Sequence, residues 1–125
     1  MAALREIVFD CRHAPSLARF WAEVLDGYAV LPYDDAEIAR LAGLGLTPET
    51  DPTVGVGGPG PTLFFQQVPD PKTTKNRVHL DVEAPDRSAE VDRLLGLGAR
   101  VHQVQEHLTT LLDPEGNEFC VADPD

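Results

Sequence analysis

Basic residues are scarce in this chain: ten lysines and arginines stand against 21 aspartates and glutamates, giving a formal net charge of −11 and a sequence pI near 4.6. A field of that sign repels phosphate backbones and anionic lipid, so neither nucleic acid nor a membrane surface is an expected partner. Cysteine is scarcer still. Cys11 and Cys120 are the only two, without the C-x-x-C spacing of zinc ribbons or thioredoxin-like sites, so no disulfide framework is indicated. No apolar run approaches the ~20 residues of a membrane span, and Met1-Ala2-Ala3-Leu4-Arg5-Glu6 leads straight into a strand-like stretch without a signal-peptide pattern. The glycines at 55–60 are followed by neither G-K-[ST] nor a helix, which excludes a phosphate loop. The expectation is a cytoplasmic protein whose partner is a small-molecule substrate or ligand.

What is present suffices for one domain: 125 residues, 42% apolar and 25% charged, can bury a core without staples. Residues 6–11 alternate as a strand with Ile7, Phe9 and Cys11 on one face. Pro15 and Ser16 open a helix in which Leu17, Phe20, Trp21, Val24 and Leu25 recur at helical spacing up to Gly27. A strand at 28–31 and a short helix at 34–41 follow, the latter capped by Asp34 or Asp35, then a loop at 43–52. Val54 and Val56 form a strand before the turn cluster Gly57-Gly58-Pro59-Gly60-Pro61, and 62–68 form another. Pro69-Asp70-Pro71-Lys72-Thr73-Thr74 reads as a connector.

The order then starts again. A strand at 77–83 precedes Pro85-Asp86 and a helix with Ala89, Val91, Leu94 and Leu95 on its apolar side, ending at Gly96 to Gly98. Strands near 100–104, 107–112 and 118–122 complete the set. Two modules, about 1–69 and about 75–125, thus repeat strand, helix and three strands at a spacing of about 70 residues. Each sheet has one helix-covered face, so two of them joined would curl around a shared concave space. Alternation sends His79, Asp81 and Glu83 to one face and Val78, Leu80 and Val82 to the other. After the turn Asp113-Pro114-Glu115-Gly116-Asn117, Glu118 and Cys120 likewise separate from Phe119 and Val121. Lys72, Lys75 and Arg77, just before His79, read either as a solvated loop balancing nearby carboxylates or as a rim that steers anions.

Three segments in this order resemble the vicinal oxygen chelate superfamily, in its glyoxalase-like or bleomycin-resistance-like branch. They are Ile7-Val8-Phe9-Asp10-Cys11 with the helix carrying Phe20-Trp21, Leu63-Phe64-Phe65-Gln66-Gln67-Val68-Pro69 leading to Lys75-Asn76-Arg77-Val78-His79-Leu80-Asp81, and the terminal Asp113-Pro114-Glu115-Gly116-Asn117. The resemblance implies an α+β fold of two paired βαβββ modules forming a curved sheet around a central cleft, commonly as a homodimer. Family members include metal-dependent lyases, isomerases, ring-cleaving dioxygenases, thiol transferases and antibiotic-binding proteins.

Carried over residue by residue, the resemblance places His79 and Glu6 as ligands of a divalent ion (Zn, Ni, Mn, Fe or Mg) and Phe64 or Gln66 at the fourth strand. The family's last carboxylate, four residues after the turn glycine, is replaced here by Cys120. As a thiolate Cys120 favours a borderline metal such as zinc; as a buried small side chain it leaves a metal-free pocket. Two functions follow. One is a metal-assisted lyase, isomerase or dioxygenase-type enzyme with Glu118 as base and Phe64, Gln66, Asp81 and Cys120 contacting the ligand. The other is a non-catalytic protein that binds or sequesters an antibiotic-like small molecule. Plainer roles compete: His79 as a hydrogen-bonded strand residue, Phe20 and Trp21 as core, and His13, His102 and His107 as surface.

Overall fold

Alternation at the start of the chain becomes β1 (Glu6–Cys11), and its inward residues set the core of the first half. The computed structural model describes residues 1–125, which divide into two compact units, Met1–Pro71 and Lys72–Asp125. In the first unit β1 is followed by α1 (Ala14–Val24), β2 (Ala29–Val30), α2 (Asp35–Gly43), β3 (Thr53–Gly57) and β4 (Thr62–Gln67). The sheet order is β1-β4-β3-β2, with β1 parallel to β4 and the other pairs antiparallel.

Helix α1 starts at Ala14 because the His13 ring accepts a hydrogen bond from the Ser16 amide at 3.2 Å, with Pro15 inside the first turn. It buries Leu17, Ala18, Phe20, Trp21 and Val24 and packs against β2, β3 and β4. Phe9 stacks between Trp21 and Phe65, with ring centroids 6.1 and 5.2 Å apart. Phe65 and Val56 are wholly buried on this side. Pairing of Val8 with Phe64, Asp10 with Gln66 and Phe64 with Gly55 puts the alternate residues on the opposite face of the sheet. Helix α2 begins on the Asp34 side chain, which accepts the Glu37 amide at 2.8 Å. It is an insertion without a counterpart in the second unit.

The second unit contains β5 (Asp81–Glu83), α3 (Arg87–Gly96), β6 (Arg100–Val104), β7 (Leu108–Leu112) and β8 (Glu118–Ala122). Its order, β5-β8-β7-β6, repeats the first sheet, again with first and last strands parallel. Phe119, Val121 and Leu111 form its buried side. The chain is α+β, with two four-stranded mixed sheets and three helices.

Two expectations need correction here. The strand expected at 77–83 is a strand only over Asp81–Glu83, and the Cys120 amide of β8 bonds to the Leu80 carbonyl just before it. Before it the segment meets β8 through a side chain, the Asn76 amide donating to the Glu118 carboxylate at 3.0 Å. The helix expected to bury Ala89, Val91, Leu94 and Leu95 buries only Leu94, because α3 packs mainly on β8. The turn before β8 is held by Asp113, which is fully buried; its carboxylate accepts the Glu115 and Asn117 amides at 2.9 and 3.0 Å and the Asn117 side chain besides. Gly116 supplies the positive φ, 86°, that this turn requires.

Candidate functional site

Register brings the second unit's polar side chains together. Asp81 pairs with Cys120 across the parallel β5–β8 ladder, and Thr110 pairs with Cys120 across β7–β8, so the three share the face turned away from Phe119 and Val121. His79 stands two residues before Asp81, with its Nε2 3.3 Å from Asp81 Oδ1. The Cys120 sulfur lies 3.4 Å from the Thr110 hydroxyl. One nitrogen, one oxygen and one sulfur donor, from His79, Asp81 and Cys120, lie within 4.8 Å of one another.

Those residues fit a metal ion in donor type. Tetrahedral zinc with bonds of about 2.0–2.3 Å spaces its ligand atoms roughly 3.3–3.8 Å apart, so the widest separation must close by about 1 Å. Exposed side chains such as His79 and Asp81 can supply that by rotation, whereas Cys120 is only 7% exposed and fixed by its strand. Imidazole, carboxylate and thiol together suit zinc and its neighbours better than magnesium. Three protein donors leave a position open, as catalytic metal sites do.

Glu118 sits in a different environment. Lys72 Nζ is 2.9 Å from Oε1, and the Asn76 amide donates to Oε2 at 3.0 Å. Burial alone would raise its pKa, but the hydrogen bonds from Asn76 and Lys72, with the lysine's charge, overcome it and hold the carboxyl down at about 2. A carboxylate so held is a weak proton acceptor near neutrality, which argues against Glu118 as the base and makes it the anchor of the 72–76 segment. Lys72 thus fits the charge-balancing reading of the basic cluster.

The other expected site residues belong to the first unit. Glu6 pairs with Thr62, is half-buried, and lies 4.0 Å from Arg5. Phe64 and Gln66 stand on the same face as Glu6, half-buried and exposed respectively. Asp81 as a metal donor was missed by sequence reasoning, although its i, i+2 spacing from His79 already placed both on one side. Cys11 and Cys120 are both buried free thiols. His102 and His107 are exposed, and His13 is the cap of α1.

The family model for the glyoxalase-like domain matches residues 6–122. The chain belongs to the glyoxalase-like domain family. Through it this glyoxalase-like domain is a member of the vicinal oxygen chelate superfamily. It is similar in fold to a glyoxalase/bleomycin resistance protein/dioxygenase family enzyme from Burkholderia phytofirmans, at 14% identity over 98% of both chains with a TM-score of 0.70. The fosfomycin resistance protein FosX from Mesorhizobium loti gives 12% identity, 98% and 91% coverage and a TM-score of 0.67. A mutant FosX from Listeria monocytogenes, complexed with Mn(II) and 1S,2S-dihydroxypropylphosphonic acid, gives 8% identity, 98% and 90% coverage and a TM-score of 0.67. No curated protein matches the sequence. No helix is long and apolar enough to cross a membrane.

Proposed function

We propose that this glyoxalase-like domain is a metal-dependent enzyme of the lyase or isomerase type, acting on an oxygen-bearing small molecule, with its divalent ion held by His79, Asp81 and Cys120. The observation that carries this reading is the convergence of three chemically different donors within 4.8 Å on one sheet face. An ion bound there would supply a Lewis acid to a substrate oxygen. The Mn(II) complex of the Listeria FosX, a protein of the same fold, is consistent with it.

The chain's own residues divide the work by position. Cys120 and Asp81 are set side by side by the β5–β8 register, so their spacing is fixed by backbone hydrogen bonds. Thr110, 3.4 Å from the sulfur, orients it. His79 Nε2 and Asp81 Oδ1 stand 3.3 Å apart, a spacing that two ligands of one ion can share. Glu118 keeps Lys72 and Asn76 in place while remaining ionised. Action in the cytoplasm as a homodimer completes the reading.

Elemental analysis of the purified protein, then titration of the chelator-stripped protein with Zn, Ni, Mn and Mg, tests it. One ion per chain, preference for Zn over Mg, and loss of binding in His79→Ala are expected; a wild-type protein that takes up none of the four would remove it. A second reading, sequestration without catalysis, is favoured by one observation: Phe64 borders cavities of about 300 and 320 Å³ in the first unit. A protein that binds ligands without metal would support it.

A further inference from the structure

Asp51 is a buried carboxylate that makes no direct ion pair. It is 5% exposed, and its two oxygens each receive one neutral donor: the Thr53 amide at 3.0 Å and the Tyr33 hydroxyl at 2.8 Å. The Arg40 guanidinium, whose charge reaches Asp51, is itself held by Glu37 at 2.6 Å. An ionised carboxylate offers about four acceptor positions, so two remain open here. A buried carboxylate that meets opposite charge only at a distance gains from a closer partner.

The cavity of about 300 Å³ on this carboxylate has the walls such a partner would need. Leu31, Tyr33, Asp34, Glu37, Asp51 and Phe64 line it. Gly55 forms part of its wall, and a Cβ there would stand 2.7 Å from Leu31 Cδ1 and 3.0 Å from Phe64 Cε1. The absent side chain is therefore what lets Leu31 and Phe64 lie against the strand. Burial, followed by the hydrogen bond to Asp51 and that residue's negative charge, pushes the Tyr33 pKa well up, so the phenol stays an O–H donor. Its oxygen is left free to accept. Aromatic faces beside anionic oxygens attract cations by electrostatics and deter anions.

We infer that this cavity binds an organic cation, an ammonium group carried on an apolar or aromatic body, with Asp51 as its counter-ion and Phe64 and Tyr33 as its walls. The inference rests on the first unit alone and does not depend on the metal reading. It names a chemical class of ligand that the family match does not.

The probes are benzylammonium and its neutral isostere benzyl alcohol, titrated into isotopically labelled protein in buffer containing a chelator. Benzylammonium is expected to shift the backbone amides of Tyr33, Thr53 and Gly55 saturably. Its affinity should exceed that of benzyl alcohol by about tenfold or more, and the margin should shrink as salt is added. Asp51→Asn keeps the shape and removes the charge; it should melt as a folded protein and lose the preference for the cation. Phe64→Leu, which leaves Asp51 untouched, should weaken benzylammonium several-fold. Equal affinity of the two probes for wild-type protein would overturn the inference whether or not the variants fold. So would shifts confined to other amides, or a folded Asp51→Asn protein that still prefers the cation.

Discussion

The two modules share their strand order, their β1–β4 and β5–β8 parallel pairs, and a helix after the first strand, yet they use these parts differently. In the first, α1 covers three strands and buries a Phe9–Trp21–Phe65 aromatic stack, while the opposite face carries Phe64 and the Asp51 cavity. In the second, α3 buries only Leu94, and all of β6 is exposed, while the opposite face collects His79, Asp81 and Cys120. The same backbone plan thus holds an aromatic core and a pocket with aromatic and acidic walls in one half and metal-donor atoms in the other. Duplicated topology fixes where side chains point; the residues at those points decide what each face does.

The comparison breaks most easily in the cores. Phe65→Ala should cost about 3–5 kcal/mol of stability in urea unfolding, and Leu94→Ala about 2–3, since the sparsely packed α3 can settle into the space left behind. A larger loss for Leu94→Ala than for Phe65→Ala would reverse the ranking. Next comes the donor face. Outer-shell changes at metal sites typically cost about 10–100-fold in affinity, so removing a direct donor by His79→Ala should weaken zinc by at least about 100-fold in competition titrations. Lower pH should weaken it too, because ligands must lose protons to bind.

A smaller effect sharpens the part played by Glu118. Its folded pKa of about 2 lies below the ordinary 4.5, so its contribution to stability is fully present above pH 4.5 and is lost as pH falls toward 2. Glu118→Gln should therefore lose about 1–2 kcal/mol at pH 7 and flatten the acid limb of the unfolding curve over that window. An unchanged acid limb would show that the Lys72 and Asn76 contacts carry no weight. The smallest effect belongs to β6: Val104→Thr, at a position 71% exposed, should shift stability by no more than about 0.5 kcal/mol.

Much of this was legible from residues alone. Strict alternation over Glu6 to Cys11 gave β1 to the residue, Asp34 or Asp35 and Pro85-Asp86 marked two helix starts, and the repeat of strand, helix and three strands announced the matched sheets. Alternation also put His79, Asp81 and Cys120 on polar faces before any register was known. What was hidden depended on partners far along the chain. Where β5 begins is set by its pairing with β8, which starts at Asp81 and Cys120, and how much of α3 is buried is set by which strands it reaches. Glu118 read as a base because its own segment shows nothing of Lys72, 46 positions away. Asp51 lies inside a stretch that reads as a plain loop, and only folding brings Tyr33 and Phe64 around it.

Cobalt substitution tests the central claim most directly, because Co(II) reports both its geometry and any sulfur ligand in its absorption spectrum. The stripped wild-type protein, titrated with Co(II) under reducing conditions, should develop a thiolate-to-cobalt charge-transfer band and the intense visible bands of a tetrahedral ion. Cys120→Ser should lose the first, and His79→Ala should lose both. A wild-type spectrum identical to that of Co(II) in buffer, or a charge-transfer band that survives Cys120→Ser, would contradict a metal centre built on His79, Asp81 and Cys120.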